Sequence, residues 1–434
     1  MIMKTNRIIC TLCLIFILFN QCSDHNPKLT CLSYTFPSQG SLVPENSTIT
    51  FTWTATTGAK VYDVYLESGS NEPERIASDI VATSYDYTIP PGEDLSYRWF
   101  VKPKNAAGNA VGCNGKSISF TSNSLPAIDE EQKVVNVLVV NYDPDISLGS
   151  VTKKLHEYYG WSNPRTLADE FIQEVLNSSG NLIQYNIVEW RDINEFPVKS
   201  DGFVYTSSSY MLCHQSNSNC HAADGLNYTK MITDQNIVEG IDQDVFEEVW
   251  IFGAPYFGFW EAAMAGPNAF NINGDIYPQI PSKKAFAIMG FNYERGVTEM
   301  MHDLCHRTEG TMSRVYGGWQ AEVLNTSWAK FAANEIQSKV AGVGSCHYPP
   351  NAKEDYDYAN DRLVSSSAED WMYYPLSTGK RIMVNNATWG APDHEGKYLN
   401  WWFKHLPKRV GIASDGKLNC WWRYIFEFNE TILQ

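Results

Sequence analysis

Residues 285–312 read AFAIMGFNYERGVTEMMHDLCHRTEGTM, and this stretch decides how the larger part of the chain is interpreted. It begins with a continuous apolar run, Ala285 to Phe291, of the kind that forms a strand buried on both faces. The rest has helical spacing, with an apolar stripe at Val297, Met301, Leu304 and Thr308. We therefore predict a strand that passes the chain directly to a helix, which then packs against the sheet to which the strand belongs.

A second stripe on the same predicted helix is polar. It consists of Glu299, His302, His306 and Glu309, which share one face of the helix. Two histidines four residues apart can place both imidazoles on one metal ion. The carboxylates beside them can complete the ligand shell, orient a ring nitrogen or act as a base. We predict a metal site here; the alternative is a structural helix whose histidines form hydrogen bonds within a polar seam.

The segment His302-Asp303-Leu304-Cys305-His306 resembles the H-E-x-x-H helix of the zincin metallopeptidases. The resemblance covers one helix and implies zinc held by both histidines, with a carboxylate that activates a zinc-bound water. Asp303 occupies the position of that carboxylate and is one methylene shorter than the glutamate of the family. Either Asp303 or Glu299 would then take the proton of the water. Over its whole length, the surrounding domain resembles bacterial secreted proteins to which no activity is assigned.

The remaining candidate site residues lie outside this helix. His347 is the best candidate for a third ligand, with Glu309 as the alternative. It belongs to the acidic, proline-stiffened segment 346–361, whose carboxylates are also compatible with a calcium loop. The spacing is not that of an EF-hand, because no glycine holds the tight turn, so we prefer an ordered acidic loop. Glu261 lies in a glycine- and aromatic-rich loop and is a candidate general acid, general base or substrate contact.

Residues 31–122 have an all-β pattern of short alternating runs separated by turn residues. The predicted strands cover 48–54, 61–67, 84–89, 97–103 and 117–121. Four segments carry a resemblance: Phe51-Thr-Trp53, Gly58-Ala-Lys-Val-Tyr-Asp-Val-Tyr65, Leu95-Ser-Tyr-Arg-Trp-Phe-Val101 and Asn105-Ala-Ala-Gly108. Through them, the region resembles a fibronectin type III domain. The resemblance implies a β-sandwich with Trp53 and Trp99 in its core, acting as a spacer or docking module.

A linker over 123–132 precedes a change of pattern. From 133 to 434, predicted strands and helices alternate, which is typical of an α/β domain. The predicted strands cover 134–141, 182–190, 245–253 and 285–291, and the further predicted helices cover 166–177, 228–234 and 319–337. We therefore predict a multidomain protein in which a β-sandwich precedes one large α/β domain.

The first 21 residues resemble an export signal, with Lys4 and Arg7 before a short apolar core over 8–19. That core is too short to span a bilayer comfortably. The sequence around Cys22 resembles the lipoprotein signals of Bacteroidetes, which implies a lipid on Cys22, a tether over 22–30 and a membrane anchor at the outer membrane or cell surface. A plain secretory signal is the alternative. The formal net charge of 33 − 49 = −16 argues against nucleic acid as a partner.

Export places the cysteines in an oxidising compartment. Without the two in the signal and the lipidated one, 10 − 3 = 7 remain, and an odd number leaves at least one unpaired. Cys31 with Cys113 is one candidate pair, and Cys213 with Cys220 is another. Cys305, inside the predicted helix, is the candidate for an unpaired thiol.

Four functional hypotheses follow from the sequence. The leading one is a surface-anchored, zinc-dependent hydrolase that acts on peptide or glycopeptide material. The second is a non-catalytic lipoprotein that binds polysaccharide or a host protein through the aromatic residues 256–260 and the C-terminal tryptophan pairs, although such pairs more often pack a core. The third is a metal-free glycoside hydrolase that uses Glu261 and Glu299. The fourth is a di-iron site on Glu299 and His302, for which the sequence has no second copy of the motif.

Overall fold

A computed structural model describes residues 31–429 except 93, 113–115, 149, 217–218, 223–224 and 320–322. The predicted export signal, the lipidation site at Cys22 and the tether up to residue 30 lie outside the described residues. So does Cys113 of the predicted pair with Cys31. Within the described part of the chain, none of the helices combines the length and the apolar character that crossing a membrane requires.

The first part of the described chain is built from strands in two sheets. The strands are β1 (Tyr34–Phe36), β2 (Ser41–Pro44), β3 (Thr48–Trp53), β4 (Val61–Ser68), β5 (Glu74–Ile80), β6 (Ser84–Thr88), β7 (Leu95–Lys104) and β8 (Ile118–Asn123). One sheet has the order β1-β3-β6 and the other the order β2-β8-β7-β4-β5. Both contribute to one core, in which Trp53 and Trp99 are buried. Buried and exposed positions alternate along β3 because successive side chains of a strand point to opposite faces.

From Lys133 onward, strands and helices alternate. The strands are β9 (Lys133–Tyr142), β10 (Asp145–Leu148), β11 (Val151–Lys154), β12 (Ile183–Ile193), β13 (Glu248–Gly253), β14 (Ala262–Ala265), β15 (Ile276–Tyr277), β16 (Phe286–Asn292), β17 (Val364–Ser366), β18 (Ile382–Val384), β19 (Lys408–Ile412) and β20 (Leu418–Cys420). The helices are α1 (Leu155–Tyr159), α2 (Pro164–Ser179), α3 (Ser207–Ser216), α4 (Tyr228–Asp234), α5 (Ile237–Asp242), α6 (Val297–Tyr316), α7 (Ser327–Phe331), α8 (Glu335–Ser338), α9 (Asn386–Trp389), α10 (His394–Lys404) and α11 (Trp421–Phe426), with a 3₁₀ helix at Ala368–Tyr373. The chain is therefore multidomain with mixed α/β content.

A six-stranded sheet organises this second part. Its order is β12-β9-β13-β16-β14-β15. The first four of these strands are parallel neighbours, and β14 runs antiparallel to β16. The apolar runs of β9, β13 and β16 are largely buried, as expected for strands covered on both faces. The loops that follow β13 and β16 meet at the carboxyl edge of the sheet, which is where open α/β sheets bind their ligands.

The long helix α6 packs against β14 and β16 and against α2, α10 and α11. A buried ion pair fixes it to the sheet, since Arg307 Nη1 lies 2.7 Å from Glu248 Oε2 and both side chains are almost fully buried. Glu248 also accepts hydrogen bonds from the hydroxyl of Tyr185 at 3.1 Å and from Trp250 Nε1 at 2.9 Å. Because Arg307 directly follows His306, this network sets the rotation of α6 about its axis and the direction of its histidines.

The predicted long helix over 319–337 is wrong. The described part of this segment contains the short helices α7 and α8 instead. Asn334 lies between them in an extended conformation, and its side chain accepts a hydrogen bond from the Gln337 N–H at 3.0 Å. An N-cap of this kind starts a new helix and so interrupts the periodic pattern from which one continuous helix was predicted.

The cysteine predictions can be compared directly with the structure. The disulfide between Cys213 and Cys220 is confirmed. Cys305 is free and buried, as predicted, and Cys346 and Cys420 are also free and buried.

The C-terminal tryptophan pairs belong mainly to the core. Trp402, Trp421 and Trp422 are almost completely buried, and Trp401 packs against the same core from a partly buried position. The prediction that these pairs pack a core is therefore confirmed. Of the aromatic surface on which the non-catalytic binding hypothesis depended, residues 256–260 remain, with Trp260 exposed.

Candidate metal centre

The three histidines predicted as ligands converge on one point. His302 and His306 project from α6, and His347 lies in the loop after α8. The Nε2 atoms of His302 and His306 are 3.0 Å apart, those of His306 and His347 are 3.0 Å apart, and those of His302 and His347 are 3.2 Å apart. In a tetrahedral zinc site with Zn–N bonds of 2.0–2.1 Å, the ligand nitrogens are about 3.3 Å apart. The three nitrogens therefore fit one face of such a tetrahedron.

A carboxylate lies behind each of the three rings. The contacts are Glu395 Oε1 to His302 Nδ1 at 2.8 Å, Glu309 Oε2 to His306 Nδ1 at 3.1 Å, and Asp355 Oδ1 to His347 Nδ1 at 3.1 Å. An ionised carboxylate can only accept a hydrogen bond, so the Nδ1 atoms of His302 and His306 carry a proton and their Nε2 atoms present lone pairs. The carboxylate of Asp355 beside Nδ1 of His347 favours the same tautomer in the third ring. The same arrangement orients histidine ligands in zinc proteins.

Three converging lone pairs repel one another unless a cation lies among them. Protonation of all three rings is not a good alternative, because it would bring three positive charges together. Burial and the neighbouring charges of His306 and His302 lower the pKa of His347. Burial opposes the charged form of His306 as well, but the hydrogen bond to Glu309 and the negative charges of Glu309, Glu261 and Asp355 together outweigh it and raise the pKa of that ring. A divalent cation satisfies all three nitrogens at once, so the residues fit a metal ion.

The start of α10 brings Glu395 to its histidine. Asp393 caps this helix by accepting a hydrogen bond from the Gly396 N–H at 3.0 Å, which places Glu395 in the first turn. Asp393 also accepts a hydrogen bond from Thr298 Oγ1 at 2.6 Å. Because Thr298 lies in the first turn of α6, this contact joins the beginnings of the two helices and holds Glu395 beside His302.

The loop that carries His347 is held from two sides. Gly344 has a φ of +93°, and a Cβ at this position would lie 2.5 Å from the carbonyl oxygen of Tyr348, so the tight turn requires glycine. Glu309 Oε1 accepts a hydrogen bond from the Cys346 N–H at 2.7 Å. The structure thus places Glu309 between the loop and the Nδ1 of His306, a position that favours orienting both ligands over binding the metal itself.

Cys346 is a further donor near the cluster. Its Sγ and the ligand atoms of His302 and His306 all lie within 4.8 Å of one another. The thiol is buried and lies 3.6 Å from the carbonyl oxygen of His302, however, and this contact gives it a hydrogen-bond partner. We assign the third ligand to His347 because its Nε2 is close to both other Nε2 atoms.

Glu261 lies next to the cluster. Its Oε2 is 3.9 Å from His306 Nε2, and the same oxygen accepts a hydrogen bond from Asn273 Nδ2. The loop after β13 carries Glu261 across β16, where the Gly290 N–H donates to the Glu261 carbonyl at 3.1 Å. A Cβ on Gly290 would lie 2.3 Å from the carbonyl oxygen of Trp260, so this close crossing requires glycine.

Two cavities adjoin the cluster. The first, which we call the acidic pocket, has a volume of about 270 Å³ and is lined in part by Tyr256, Phe259, Glu261, Arg295, Glu299 and Asp303. The second, which we call the aromatic pocket, has a volume of about 420 Å³ and is lined in part by Phe270, Asn271, Asn273, His306, Arg314 and Trp319. Glu261 lines the first and His306 lines the second, and these two side chains are 3.9 Å apart, so the cavities come close to each other at His306.

Asp303 and Glu299 face the acidic pocket in different states. Glu299 Oε1 accepts a hydrogen bond from Arg295 Nε at 2.8 Å. Asp303 is only 6% exposed and has no hydrogen bond or ion pair with another described residue. Burial and the nearby charges of Glu261 and Glu299 raise the pKa of Asp303 well above its ordinary value.

Glu261 and Glu299 are the pair on which the glycosidase hypothesis depends. They line one cavity, but Glu299 is already paired with Arg295.

Two functional positions were missed by sequence reasoning. Glu395 was not a candidate, although its place two residues after the helix-capping Asp393 is a signal for a carboxylate in a first turn. Asp355 was considered only as an oxygen ligand for calcium, whereas the structure pairs it with His347. Asp357, from the same segment, accepts hydrogen bonds from the Lys353 N–H and from Asn360. These contacts are those of an ordered acidic loop.

Comparison with known proteins gives likenesses for only part of the chain. No family model and no curated protein matches it. Among solved structures, it is similar to an Fn3-like protein from Clostridium thermocellum, with 21% identity over 23% of this chain and 95% of that chain and a TM-score of 0.17. It is also similar to FN3tt, with 24% identity over 22% of this chain and 97% of that chain and a TM-score of 0.17. A β-1,2-glucanase from Parabacteroides distasonis matches with 13% identity over 23% of this chain and 13% of that chain, at a TM-score of 0.19. The structural neighbours thus include fibronectin III-like proteins, over less than a quarter of this chain.

Proposed function

We propose that this chain is a zinc-dependent hydrolase of peptide or glycopeptide material. The observation that supports it most is the convergence of three Nε2 atoms, each on a ring whose Nδ1 contacts a carboxylate. Carboxylates in this position fix the tautomer of the ring and strengthen it as a ligand. We propose zinc rather than calcium or magnesium because the converging donors are nitrogens, whereas those two cations prefer oxygen ligands.

Three histidine ligands leave a fourth position for water, which is the property that separates catalytic zinc sites from structural ones. Zinc held there would lower the pKa of a bound water towards neutrality. We assign the general base to Glu261, which lies 3.9 Å from His306 Nε2, is partly exposed and is held by Asn273. Glu261 takes the proton from the attacking water and returns it to the leaving amine as the C–N bond breaks.

The two cavities support an extended substrate. A chain that occupies the acidic pocket and the aromatic pocket together runs beside His306, because Glu261 in the first pocket and His306 in the second are 3.9 Å apart. Trp319 is 37% exposed and offers an aromatic surface on one side, which suits apolar side chains or the faces of sugar rings. Peptide and glycopeptide substrates both have these features.

For the location, we propose a lipoprotein of the cell surface or outer membrane, anchored by a lipid on Cys22. The β-sandwich is then a fibronectin III-like spacer between the anchor and the hydrolase, and the substrates are extracellular. The net charge of −16 speaks against nucleic acid as a partner. Non-catalytic binding of polysaccharide or host protein remains the alternative function, with less support because Trp402, Trp421 and Trp422 are buried.

The proposal is tested with the exported chain, loaded with zinc and incubated with a mixture of peptides whose fragments are identified by mass spectrometry. We expect cleavage that a chelator abolishes and that zinc restores. Glu261→Gln is expected to retain zinc and to reduce the rate at least about 100-fold, as the loss of a general base does. Glu170→Gln is the matched control, since this substitution makes the same change of charge at an exposed position on α2.

Two results contradict the proposal. One is a zinc-loaded protein that cleaves no peptide or glycopeptide in the mixture. The other is cleavage that is equally fast in the chelator-treated protein, because such an activity would not depend on the histidine cluster.

A further inference from the structure

The acidic pocket has more negative than positive groups. Its lining carboxylates are Glu261, Glu299 and Asp303, and Arg295 is its one cationic side chain. Arg295 is paired with Glu299. Glu261 and Asp303 have no lysine or arginine partner among the described residues, so the pocket offers two carboxyl groups as hydrogen-bond acceptors to a positively charged ligand.

Asp303 gives the second, independent indication of a ligand. It lines the pocket, only 6% of its surface is exposed, and it forms no hydrogen bond with any described residue. Burying a carboxylate without a donor is costly, and buried polar groups in proteins are usually paired. Because Asp303 lies in the wall of a cavity without a protein partner, we expect a ligand to supply its hydrogen-bond donor.

The walls of the pocket show that this ligand is not a bare metal ion. Tyr256, Phe259 and Met300 line the pocket beside the carboxylates, so it also accommodates an apolar group. Its volume of about 270 Å³ suits a single amino-acid residue better than an ion. Within the described part of the chain, the group whose ligand atoms converge within 4.8 Å consists of His302, His306 and Cys346 and includes none of the carboxylates of the pocket.

We propose that the acidic pocket binds the free α-amino group of the first residue of a peptide, with the side chain of that residue against the apolar wall. The inference rests on the proposed hydrolase function and makes the enzyme an aminopeptidase. Glu261 lies both in the pocket and 3.9 Å from His306 Nε2, so the pocket begins at the cluster. Only the Cα separates an α-amino nitrogen from its carbonyl carbon, which suits this short reach, whereas a lysine ammonium lies at the end of a long side chain.

The reaction is the hydrolysis of the first peptide bond. The water oxygen forms a bond to the carbonyl carbon of the first residue, and the C–N bond to the second residue breaks. The proton that Glu261 removes from the water goes to the new amine, so the products are a free amino acid and a peptide shortened by one residue. Asp303 holds the α-ammonium group and thereby decides which bond reaches the cluster, while Glu261 takes the proton of the water.

A binding measurement tests the pocket without requiring turnover. Calorimetric titration of the zinc-loaded exported chain compares L-leucinamide with N-acetyl-L-leucinamide, which lacks the positive charge. We expect leucinamide to bind at least about 10-fold more tightly, as charge-assisted hydrogen bonds predict. Asp303→Asn should remove this preference. Glu294→Gln should keep it, since Glu294 precedes the same helix but does not line the pocket.

Hydrolysis distinguishes failure of this inference from failure of the proposed function. Cleavage of leucine 4-methylcoumaryl-7-amide, with the N-acetylated form at least about 100-fold slower, supports both. Equal affinity for the two amides, no binding of leucinamide, or equally fast cleavage of an N-blocked peptide overturns the aminopeptidase inference and leaves the hydrolase standing. Preferential binding of leucinamide without cleavage of any peptide supports the amine-binding pocket and contradicts the hydrolase.

Discussion

The substitution Arg307→Met tests whether the buried ion pair with Glu248 holds α6, the helix of His302 and His306, in place. Both side chains are almost fully buried, with exposures of 1% and 2%, and their nearest atoms are 2.7 Å apart. Removing one partner of such a pair costs about 3–5 kcal/mol, because the other charge stays buried without compensation. Glu248 keeps its hydrogen bonds from Tyr185 and Trp250 in the variant, so we expect the lower end of this range.

Calorimetric melting of the zinc-free protein measures this effect without a contribution from bound metal. A loss of about 3 kcal/mol should lower the melting temperature of the α/β domain by about 5 °C. The variant also loses the hydrogen bond from Arg307 Nη2 to the carbonyl oxygen of Ile425 at 3.1 Å, which adds to the destabilisation. The β-sandwich has a separate core and should melt as in the wild type.

The double variant Glu248→Leu with Arg307→Met is the matched control, since it removes both charges together. It should recover most of the lost stability, because apolar side chains of similar volume often replace a buried pair without penalty. A single variant as stable as the wild type would refute the reasoning. A double variant that is no more stable than the single one would also contradict it, because packing rather than charge would then be responsible.

Three further predictions concern other parts of the molecule. Glu395→Gln should weaken zinc binding about 10- to 100-fold in competition with a chromogenic chelator, because the carboxylate that orients His302 is lost. Opening the disulfide with Cys213→Ser should cost about 2.5 kcal/mol by the loop-entropy relation, measured by thermal melting against wild type. Burial alone would raise the pKa of Asp63, but the salt bridge with Lys104 at 2.7 Å, the hydrogen bond from the Asp79 N–H and the charge of Arg75 together outweigh it and leave that pKa below its ordinary value. The folded sandwich therefore binds fewer protons than the unfolded chain, so this stabilisation is present above the unfolded pKa and is lost as the pH falls through the folded pKa. Melting temperatures of the sandwich recorded from neutral to acidic pH should fall less steeply for Asp63→Asn, and an unchanged slope would contradict this account.

The sequence was most informative where one periodic pattern is sufficient to define an element. The helix that contains His302 and His306 was predicted from residues within a few turns of one another, and α4 was predicted with the bounds that the structure has. Local periodicity and burial decide such elements. Periodicity also misled the prediction of one helix over 319–337. Its apolar positions fit a single helix, whereas the cap at Asn334 starts a new one.

Contacts between distant parts of the chain were harder to predict. Glu395 is 93 residues from His302, and the Asp393 contact that places it depends on how two helices pack. Glu309 was considered as a ligand because it shares a helix face with the histidines. Sequence spacing does not distinguish the two nitrogens of an imidazole, so it could not show that this carboxylate lies on the Nδ1 side.

Zinc content tests the central claim most directly. The exported chain is supplied with zinc, freed of excess metal and analysed by elemental mass spectrometry, beside His302→Ala, His306→Ala and His347→Ala. His405→Ala serves as control, because His405 is a buried histidine that contacts the Trp401 carbonyl outside the cluster. We predict about one zinc per chain in the wild type and the control, and a loss of that zinc in each of the three cluster variants. A wild-type protein without zinc, or a cluster variant that binds it as well as the wild type, would contradict the account.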